Sequence, residues 1–337
     1  MNRAHNASQG DRGVCISGTG MAMPPRVMTN DELAGLVDTT DQWITQRTGI
    51  KQRRIVAQGG SVYKLATSAV HQALANAKLE GSDIDLVICA TITPDMCCPS
   101  TAARVAAEIG AVPAGAMDLS AACSGFVYGI NVASSLIRSG HNRHVAVVGV
   151  EQLSQITDWQ DRTTCILFGD GAGAVVLSVT DDPQQGCLYQ KMASNGEKWD
   201  MLYCPRSEVD LPVDSSGFSG KFNTLQMNGR EVYKFAVAKL QETIDDALEA
   251  CGLKADDLAM VLAHQSNRRI LESARQRMGL DENKFYINID QYGNTSAASV
   301  PICLHEICER GRFKPGDLVL FVGIGGGLTW ASCMWRW

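Results

Sequence analysis

Residues 118–126 have the sequence Asp-Leu-Ser-Ala-Ala-Cys-Ser-Gly-Phe, in which small residues suited to a tight turn surround Cys123. Apolar residues then recur at helical spacing as far as Ile137, and the helix is predicted to end near Ser139-Gly140. Cys123 is therefore predicted to lie where a strand turns into a buried helix. The helix N-terminus would favour thiolate over thiol, which makes cysteine a strong nucleophile. Most buried cysteines are only packed small hydrophobes, so position alone leaves both interpretations open.

Apolar segments of strand length alternate with amphipathic helical segments along the whole chain. Strands that are apolar along their full length are typical of sheets covered on both faces, which predicts a layered α/β fold. Two segments recur with a shift of 174 residues: Asp83–Ala90 matches Asp257–His264, and Val145–Val150 matches Val319–Ile324. The shared shift predicts a duplicated chain, with halves at residues 13–180 and 181–337 after a disordered tail at residues 1–12.

Composition and charge narrow the class of protein. The chain is 45% hydrophobic and 20% charged, which is typical of a soluble globular protein. A net charge of -6 argues against general nucleic-acid binding, which needs a basic face. The twelve cysteines include no C-x-x-C pair, so we predict reduced thiols and no metal site. Without a signal-peptide core or a membrane-length apolar run, we expect a cytoplasmic protein that does not bind membranes.

Two polar residues of the second half are candidates to meet Cys123. His264 ends the apolar run that repeats Asp83–Ala90, and Asn294 lies in a glycine turn before a helix. Ligands in α/β folds gather at the carboxyl ends of strands, so equivalent strand ends of the two halves would bring these side chains together. Alone, a histidine here is more often structural and an asparagine more often a turn residue.

A cysteine, a histidine and an asparagine support two chemistries. In papain-type hydrolysis the histidine deprotonates the thiol and the asparagine orients it, but no papain-like context surrounds Cys123. Alternatively, the cysteine holds an acyl group while the other two stabilise the enolate formed when a malonyl thioester loses carbon dioxide. The run Gly323–Gly327 lacks dinucleotide-binding spacing. It is either an oxyanion-binding backbone or a tight turn.

The sequence resembles β-ketoacyl-acyl carrier protein synthase III, the initiating condensing enzyme of type II fatty acid synthesis. The segments that carry the resemblance are Asp38–Ile50, Asp118–Phe126, Met227–Lys234, His264–Ile270, Gly293–Pro301 and Gly325–Trp330. They occur in order and span nearly the whole chain beyond the tail. The resemblance implies a thiolase-like αβαβα fold of two similar halves, a homodimer, and no cofactor, since acyl-CoA is a substrate.

The resemblance also implies roles for individual residues. Cys123 would take the acyl group, His264 and Asn294 would serve decarboxylation of malonyl-acyl carrier protein, and the backbone of Cys123 and Gly326 would form the oxyanion hole. The surface residues that it assigns are Trp43, Arg47 and Arg162 for coenzyme A, and Arg230, Lys234 and Arg269 for the carrier protein. Exposed basic residues are often only solvated, which is the competing interpretation for the carrier-protein set.

Two positions depart from the family pattern. Arg268, beside Arg269, makes the predicted carrier-protein surface more basic than the family motif requires, and we predict that it belongs to that surface. Cys98 occupies the segment that in this family reaches into the neighbouring subunit's acyl pocket, where a bulkier aromatic residue often sits. The smaller side chain predicts room for a primer longer than acetyl.

Related families fit the sequence less well. Elongating synthases carry a second histidine where this chain has Asn294, thiolases need a second cysteine in the final glycine loop, and chalcone-type synthases lack the Trp43–Ile50 pattern. Three hypotheses stay open: a fatty-acid condensing enzyme; a relative in secondary metabolism that loads an unusual starter or transfers acyl groups without decarboxylation; and a non-catalytic acyl-binding partner. The complete Cys-His-Asn set favours the first.

Overall fold

A computed structural model describes residues 12–213 and 218–337, so almost all of the predicted tail at residues 1–12 lies outside the described residues. The strands are β1 Gly13–Ala22, β2 Arg26–Thr29, β3 Gln52–Ile55, β4 Leu86–Ala90, β5 Gly115–Leu119, β6 His144–Glu151, β7 Gly171–Thr180, β8 Gly186–Ser194, β9 Leu202–Tyr203, β10 Gln226–Met227, β11 Met260–Ala263, β12 Leu318–Gly325 and β13 Thr329–Arg336. The helices are α1 Asn30–Ala34, α2 Asp41–Thr48, α3 Val62–Ala77, α4 Thr101–Glu108, α5 Gly125–Arg138, α6 Gly229–Cys251, α7 Arg268–Arg277, α8 Ile289–Tyr292 and α9 Ser299–Glu309.

Two mixed sheets have the same internal order. The first runs β1-β7-β6-β4-β5 and the second runs β8-β13-β12-β11. In the first sheet β4 and β6 are parallel while β6, β7 and β1 alternate in direction. The second sheet repeats this pattern, with β11 and β12 parallel and β12, β13 and β8 alternating. The predicted duplication is therefore confirmed in the sheet topology. The boundary at residues 180 and 181 stays a prediction.

The 174-residue shift holds for individual elements. It relates the first residues of β6 and β12, at His144 and Leu318, and those of α5 and α9, at Gly125 and Ser299. It also relates two short 3₁₀ turns, at residues 122–124 and 296–298, that precede the two helices. Ala122 and Ser296 open these turns with φ of 45° and 49°, the left-handed region that non-glycine residues seldom adopt. The two halves therefore contain equivalent turns, and each turn begins with a residue in a strained backbone conformation.

The layering follows from which faces are apolar. Helices α5 and α9 lie between the two sheets, where Phe126 and Leu304 pack with Val147 and Phe321 in one buried cluster. Helices α3 and α4 cover the outer face of the first sheet, and α6 and α7 cover the outer face of the second. Both sheets are thus covered on both faces, as their apolar strands require. The result is the predicted αβαβα arrangement.

Two glycines let the halves approach at the centre. A Cβ on Gly149 of β6 would lie 2.3 Å from the carbonyl oxygen of Ala297, in the turn of the other half. A Cβ on Gly323 of β12 would lie 2.7 Å from Cα of Ser124, in the turn of the first half. These positions are again 174 residues apart. Each half therefore makes room for the turn of the other, and the turn that carries Cys123 lies between the sheets.

Candidate active site

Cys123 lies in the 3₁₀ turn between β5 and α5, and its side chain is buried. The neighbouring Ser124 Oγ lies 2.8 Å from Thr329 Oγ1 on β13, which ties the turn to the second half. A Cβ on Gly325 would come within 2.7 Å of the Cys123 nitrogen, so only glycine lets the end of β12 pass this close to the nucleophile. The turn is therefore held from both halves.

The Cys123 thiol does not have the low pKa expected from its position before a helix. Burial raises its pKa to about 12, while a hydrogen bond with Ser296 lowers it, the charge of Glu151 raises it, and the backbone N–H of Cys123 lowers it. Desolvation of the charged form outweighs the favourable N–H groups of the helix end. This corrects the expectation of a thiolate in the free protein. The thiol is protonated at pH 7 and needs a proton acceptor during attack.

His264 and Asn294 are each held by one hydrogen bond that leaves a nitrogen available. His264 follows β11, and its Nδ1 lies 2.8 Å from Ser299 Oγ, so Nε2 is the nitrogen left for a ligand. Burial lowers the His264 pKa to about 3, and the imidazole is neutral at pH 7. Asn294 Oδ1 accepts the backbone N–H of Ser296 at 2.8 Å, which leaves the side-chain amide of Asn294 to donate. Both residues thus present neutral groups.

Two cavities meet at Cys123. A cavity of about 130 Å³ is lined by Cys123, His264 and Asn294 together with apolar residues of α6 and α7. A second cavity, of about 450 Å³, extends from Cys123 on the other side. Gly326 lines both. The structure therefore brings together the predicted catalytic set and the predicted oxyanion-hole glycine, although they come from separate halves of the chain.

The three residues predicted to hold coenzyme A form one cluster. Thr40 caps α2 by accepting the Trp43 N–H at 3.1 Å, which fixes the first turn of that helix. The guanidinium carbons of Arg47 and Arg162 lie 5.5 Å and 5.3 Å from the centre of the Trp43 ring, within range of a cation–π contact. Asn267, which lines the smaller cavity, donates to the Arg47 carbonyl at 3.1 Å. The cluster is thereby joined to the cavity wall.

The four basic residues predicted to face the carrier protein are exposed and lie within the first two turns of α6 and α7. Arg230 and Lys234 flank cavity-lining residues of α6, while Arg268 and Arg269 follow Asn267 at the start of α7. Lys234 pairs with Glu231 at 2.7 Å, and Arg268 contacts Glu272 at 3.7 Å, both at the surface. Because exposed pairs of this kind are weak, these cations stay available to an acidic partner.

Cys98 lies in the loop between β4 and α4. Cys98 is exposed, and it is the neighbouring Cys97 that lines the larger cavity of its own chain. The predicted contribution of Cys98 concerns a partner subunit and stays a prediction.

Several polar residues around the nucleophile are not among the predicted site residues. The Ser296 hydroxyl lowers the pKa of the Cys123 thiol, Ser299 Oγ lies 2.8 Å from His264 Nδ1, and the buried Glu151 carboxylate lies 3.1 Å from Ser296 Oγ. Thr93 donates to Glu151 at 2.6 Å and lines the larger cavity. One signal was present: Glu151 is a carboxylate at the end of an otherwise apolar strand, where ligand sites form.

The residues that the structure describes contain no group of three or more histidine, cysteine or acidic side chains suited to a metal ion. In the same part of the chain, no helix has the length and apolar character required to cross a bilayer.

The layering and the meeting of the two halves at a cysteine define a thiolase-like condensing enzyme. Comparison with family models narrows this class. The model described as 3-oxoacyl-[acyl-carrier-protein (ACP)] synthase III matches residues 117–196, and the model of its C-terminal part matches residues 248–337. The chain belongs to the β-ketoacyl-[acyl-carrier-protein] synthase III family, and it is a condensing enzyme of the acyltransferase type. The predicted family, fold and enzyme class are confirmed.

Individual relatives match over nearly their whole length. The β-ketoacyl-[acyl-carrier-protein] synthase III of Caldanaerobacter subterraneus is 45% identical, covering 96% of this chain and 97% of the relative. The crystal structure of the Aquifex aeolicus enzyme superimposes with a TM-score of 0.89 at 42% identity, covering 96% of this chain and 100% of the other. The priming β-ketosynthase of the R1128 polyketide pathway also gives a TM-score of 0.89, at 33% identity and 98% coverage of both chains.

Proposed function

We propose that the protein joins an acyl-CoA primer to malonyl-acyl carrier protein by decarboxylative Claisen condensation and so initiates fatty acid synthesis. The products are a 3-oxoacyl-acyl carrier protein, carbon dioxide and free coenzyme A. The observation that carries the proposal is the convergence of Cys123, His264 and Asn294 on one cavity. Family membership supports the same reaction.

In the first half-reaction, the Cys123 sulfur attacks the acyl-CoA carbonyl carbon. The tetrahedral oxyanion accepts hydrogen bonds from the backbone N–H groups of Cys123 and Gly326. Collapse of this intermediate breaks the thioester bond to coenzyme A, whose thiolate takes up the proton that the Cys123 thiol released, and leaves an acyl thioester on Cys123. The strained turn that opens at Ala122 supports this role, because such backbone strain concentrates at functional sites.

In the second half-reaction, the malonyl group enters the smaller cavity and loses carbon dioxide. The electron pair of the broken C–C bond forms an enolate, whose oxygen accepts hydrogen bonds from Asn294 Nδ2 and His264 Nε2. The enolate carbon then attacks the acyl carbonyl and releases the Cys123 thiolate, which regains a proton. Neutral donors in a buried site are suited to a charge that exists only during reaction.

The surface around the cavity suits the two substrates. Trp43, Arg47 and Arg162 bind the adenine nucleotide of coenzyme A by stacking and by charge. Arg230, Lys234, Arg268 and Arg269 bind the acidic carrier protein. The hydrogen bond from Asn267 to the Arg47 carbonyl joins the start of α7 to the end of α2. This link supports an entrance to the cavity that both substrates share.

The larger cavity is proposed to hold the primer chain. Its volume of about 450 Å³ is in the range of pockets for drug-sized ligands and exceeds what an acetyl group needs. In a homodimer, Cys98 of the partner subunit would help to close this pocket. We therefore expect initial rates of acylation to be higher with a longer acyl-CoA than with acetyl-CoA, and a strict preference for acetyl-CoA would contradict this expectation.

A starter-loading role in secondary metabolism is the second candidate, favoured by the likeness to the R1128 priming β-ketosynthase. Both candidates use the same chemistry and differ in primer and carrier protein. The same proposal includes three further expectations. The protein is cytoplasmic, it needs no cofactor, and its two halves divide between residues 180 and 181.

The proposal is tested by intact-protein mass spectrometry after incubation with a series of acyl-CoAs. We expect an acyl adduct that is absent from Cys123→Ser and that disappears when malonyl-acyl carrier protein is added, with 3-oxoacyl product appearing. An adduct that persists would indicate an acyltransferase with another acceptor. If no primer forms an adduct, the catalytic proposal fails.

A further inference from the structure

Gln265, the residue after His264, is a buried glutamine whose side chain joins two segments of the second half. Only 1% of the residue is exposed. Its Nε2 donates to the carbonyl oxygens of Ala263 at 2.9 Å and Tyr286 at 3.2 Å. Its Oε1 accepts the backbone N–H of Asn288 at 3.1 Å. Both ends of the amide are thus engaged by backbone groups, and the opposite orientation would turn its oxygen toward two carbonyls.

The segment that Gln265 holds leads directly to Asn294. Asn288 immediately precedes α8, and Asn294 is the second residue after that short helix ends. The side chain of Asn288 donates to Glu306 on α9 at 2.7 Å, and the Tyr292 hydroxyl donates to the same carboxylate at 2.8 Å. The helical turn is therefore held at both ends. A displacement of Asn288 would be carried along it to Asn294.

The other end of the link is the strand end that carries His264. The His264 N–H donates to the Val322 carbonyl on β12 at 2.8 Å. Ser299 Oγ lies 2.8 Å from His264 Nδ1 and accepts the Gln265 N–H at 3.3 Å. Because His264 and Gln265 are adjacent in the chain, the Gln265 side chain connects the support of His264 to the support of Asn294.

Backbone pairing between these two segments is slight. Val261 of β11 forms one isolated parallel bridge with Phe285, and its carbonyl accepts the Tyr286 N–H at 3.2 Å. The Gln265 amide makes its contacts closer along the chain to both His264 and Asn294. The side chain is therefore placed to set the distance between these two residues.

We propose that Gln265 is a positioning residue that sets the spacing between His264 and Asn294, so that both donate to one enolate oxygen. The inference rests on the proposed condensation, in which both side chains stabilise that oxygen. Two donors from separate segments are most effective when their separation is fixed before the reaction, because reorganisation during the reaction costs free energy. Gln265 lines neither cavity, so it acts through the two residues that line the smaller one.

Gln265→Met tests the role with an unbranched side chain of similar length that makes none of the three hydrogen bonds. We expect consumption of preformed acyl-Cys123 by malonyl-acyl carrier protein to slow by about tenfold or more, because small displacements of catalytic groups are costly. Formation of the Cys123 adduct should change by less than about twofold, since acylation does not use the enolate site. Single-turnover rapid quench with intact-protein mass spectrometry measures both steps.

The matched control is Gln241→Met. Gln241 is another buried glutamine, 6% exposed, and it lies in α6, where its Nε2 donates to Asp245 Oδ1 at 2.7 Å. It lines neither cavity. This variant should leave both half-reactions at the wild-type rate. An equal loss of condensation in Gln241→Met and Gln265→Met would indicate a general packing effect and would overturn the inference.

A double-mutant cycle with Asn294→Ala separates positioning from a merely structural role. Once Asn294 no longer donates, the enolate oxygen has a single side-chain donor, His264, and the spacing ceases to matter. Adding Gln265→Met to Asn294→Ala should therefore slow condensation by less than about twofold, compared with about tenfold or more when Asn294 is present. If the two losses simply multiply, Gln265 does not act through this spacing and the inference is wrong.

The outcomes separate this inference from the proposed function. If Gln265→Met does not fold, Gln265→Glu carries the same cycle, because it keeps an oxygen for the Asn288 N–H but lacks the amide donor. A wild-type adduct that malonyl-acyl carrier protein does not consume would contradict the proposed function and this inference together. If the wild type completes both half-reactions and the Gln265 variants condense at the wild-type rate, the positioning role alone is wrong.

Discussion

Cys123 and His264 lie in one buried environment that moves their pKa values in opposite directions, each toward the neutral form. Burial raises the thiol pKa to about 12 and lowers the imidazole pKa to about 3. The thiolate–imidazolium pair of a papain-type protease is therefore disfavoured here. Neutral partners instead suit a site in which negative charge develops on a bound substrate. The pKa values of these two residues thus distinguish condensation from papain-type hydrolysis, although both reactions use the same types of side chain.

The His264 pKa predicts how condensation depends on pH. Because its pKa is lowered to about 3, His264 stays neutral across the working range. We expect transfer from preformed acyl-Cys123 to malonyl-acyl carrier protein to show no His264 titration between about pH 5 and 9. Single-turnover rates measured over this range are the check. A midpoint near the ordinary histidine pKa, absent from His264→Gln, would contradict the prediction.

Ser299 is predicted to set which nitrogen of His264 carries the proton. A neutral imidazole has one N–H, and donation from Nε2 to the enolate requires that Ser299 donate to His264 Nδ1 instead of to the Ser296 carbonyl, which accepts its hydroxyl at 2.8 Å in this structure. Ser299→Ala should slow condensation about fivefold, corresponding to roughly 1 kcal/mol for one hydrogen bond, with little change in acylation. The ¹⁵N shifts of the His264 ring should change as well.

The matched control for this variant is Ser135→Ala, which removes a hydroxyl bonded to a helix carbonyl in α5, a position that lines neither cavity. Equal losses in the two variants, or an unchanged His264 spectrum in Ser299→Ala, would rule out a specific role for Ser299.

At the scale of elements, the central glycines decide whether the two turns fit together. Gly323→Ala would place a Cβ 2.7 Å from Cα of Ser124, against backbone that cannot easily move. We expect a loss of about 1–3 kcal/mol in the free energy of unfolding, together with slower acylation of Cys123. Denaturant unfolding and the acylation rate are the measurements. Gly196→Ala, where a Cβ would meet nothing within 4 Å, is the control and should leave both unchanged.

The arrangement of strands and helices could largely be predicted from the sequence. Apolar strand segments and a constant 174-residue shift were enough to predict the duplicated sheets, because both patterns can be recognised in short segments of the sequence. The helix after Cys123, predicted to end near Ser139-Gly140, ends at Arg138.

The polar network behind Cys123 could not be found in this way. Glu151 and Ser296 are 145 residues apart, and no short-range sequence pattern predicts their contact. The thiol pKa was predicted wrongly for a related reason, because the helix end is visible in the sequence whereas the depth of burial is not. Both properties arise only when the halves meet.

At the scale of the whole molecule, charge is unevenly arranged. The chain carries a net charge of -6, yet the first turns of α6 and α7 beside the cavity hold Arg230, Lys234, Arg268 and Arg269. Reversing charge with Lys234→Glu and Arg269→Glu should raise KM for malonyl-acyl carrier protein by about tenfold and leave acylation by acyl-CoA unchanged. Steady-state kinetics at several salt concentrations are the check.

The control for the charge reversal is Lys254→Glu, beyond the opposite end of α6. It makes a similar change in net charge away from the cavity. If Lys254→Glu raises KM as much as the two cavity-side variants, the effect reflects total charge and the proposed carrier-protein surface is wrong.

The two halves are proposed to divide the reaction, with Cys123 from the first taking the acyl group and His264 and Asn294 from the second driving decarboxylation. The most direct test follows both half-reactions in His264→Ala and Asn294→Ala by intact-protein mass spectrometry. Each variant should form the Cys123 adduct at nearly the wild-type rate but consume it with malonyl-acyl carrier protein about a hundredfold or more slowly. Equal loss of adduct formation and adduct consumption would contradict this division.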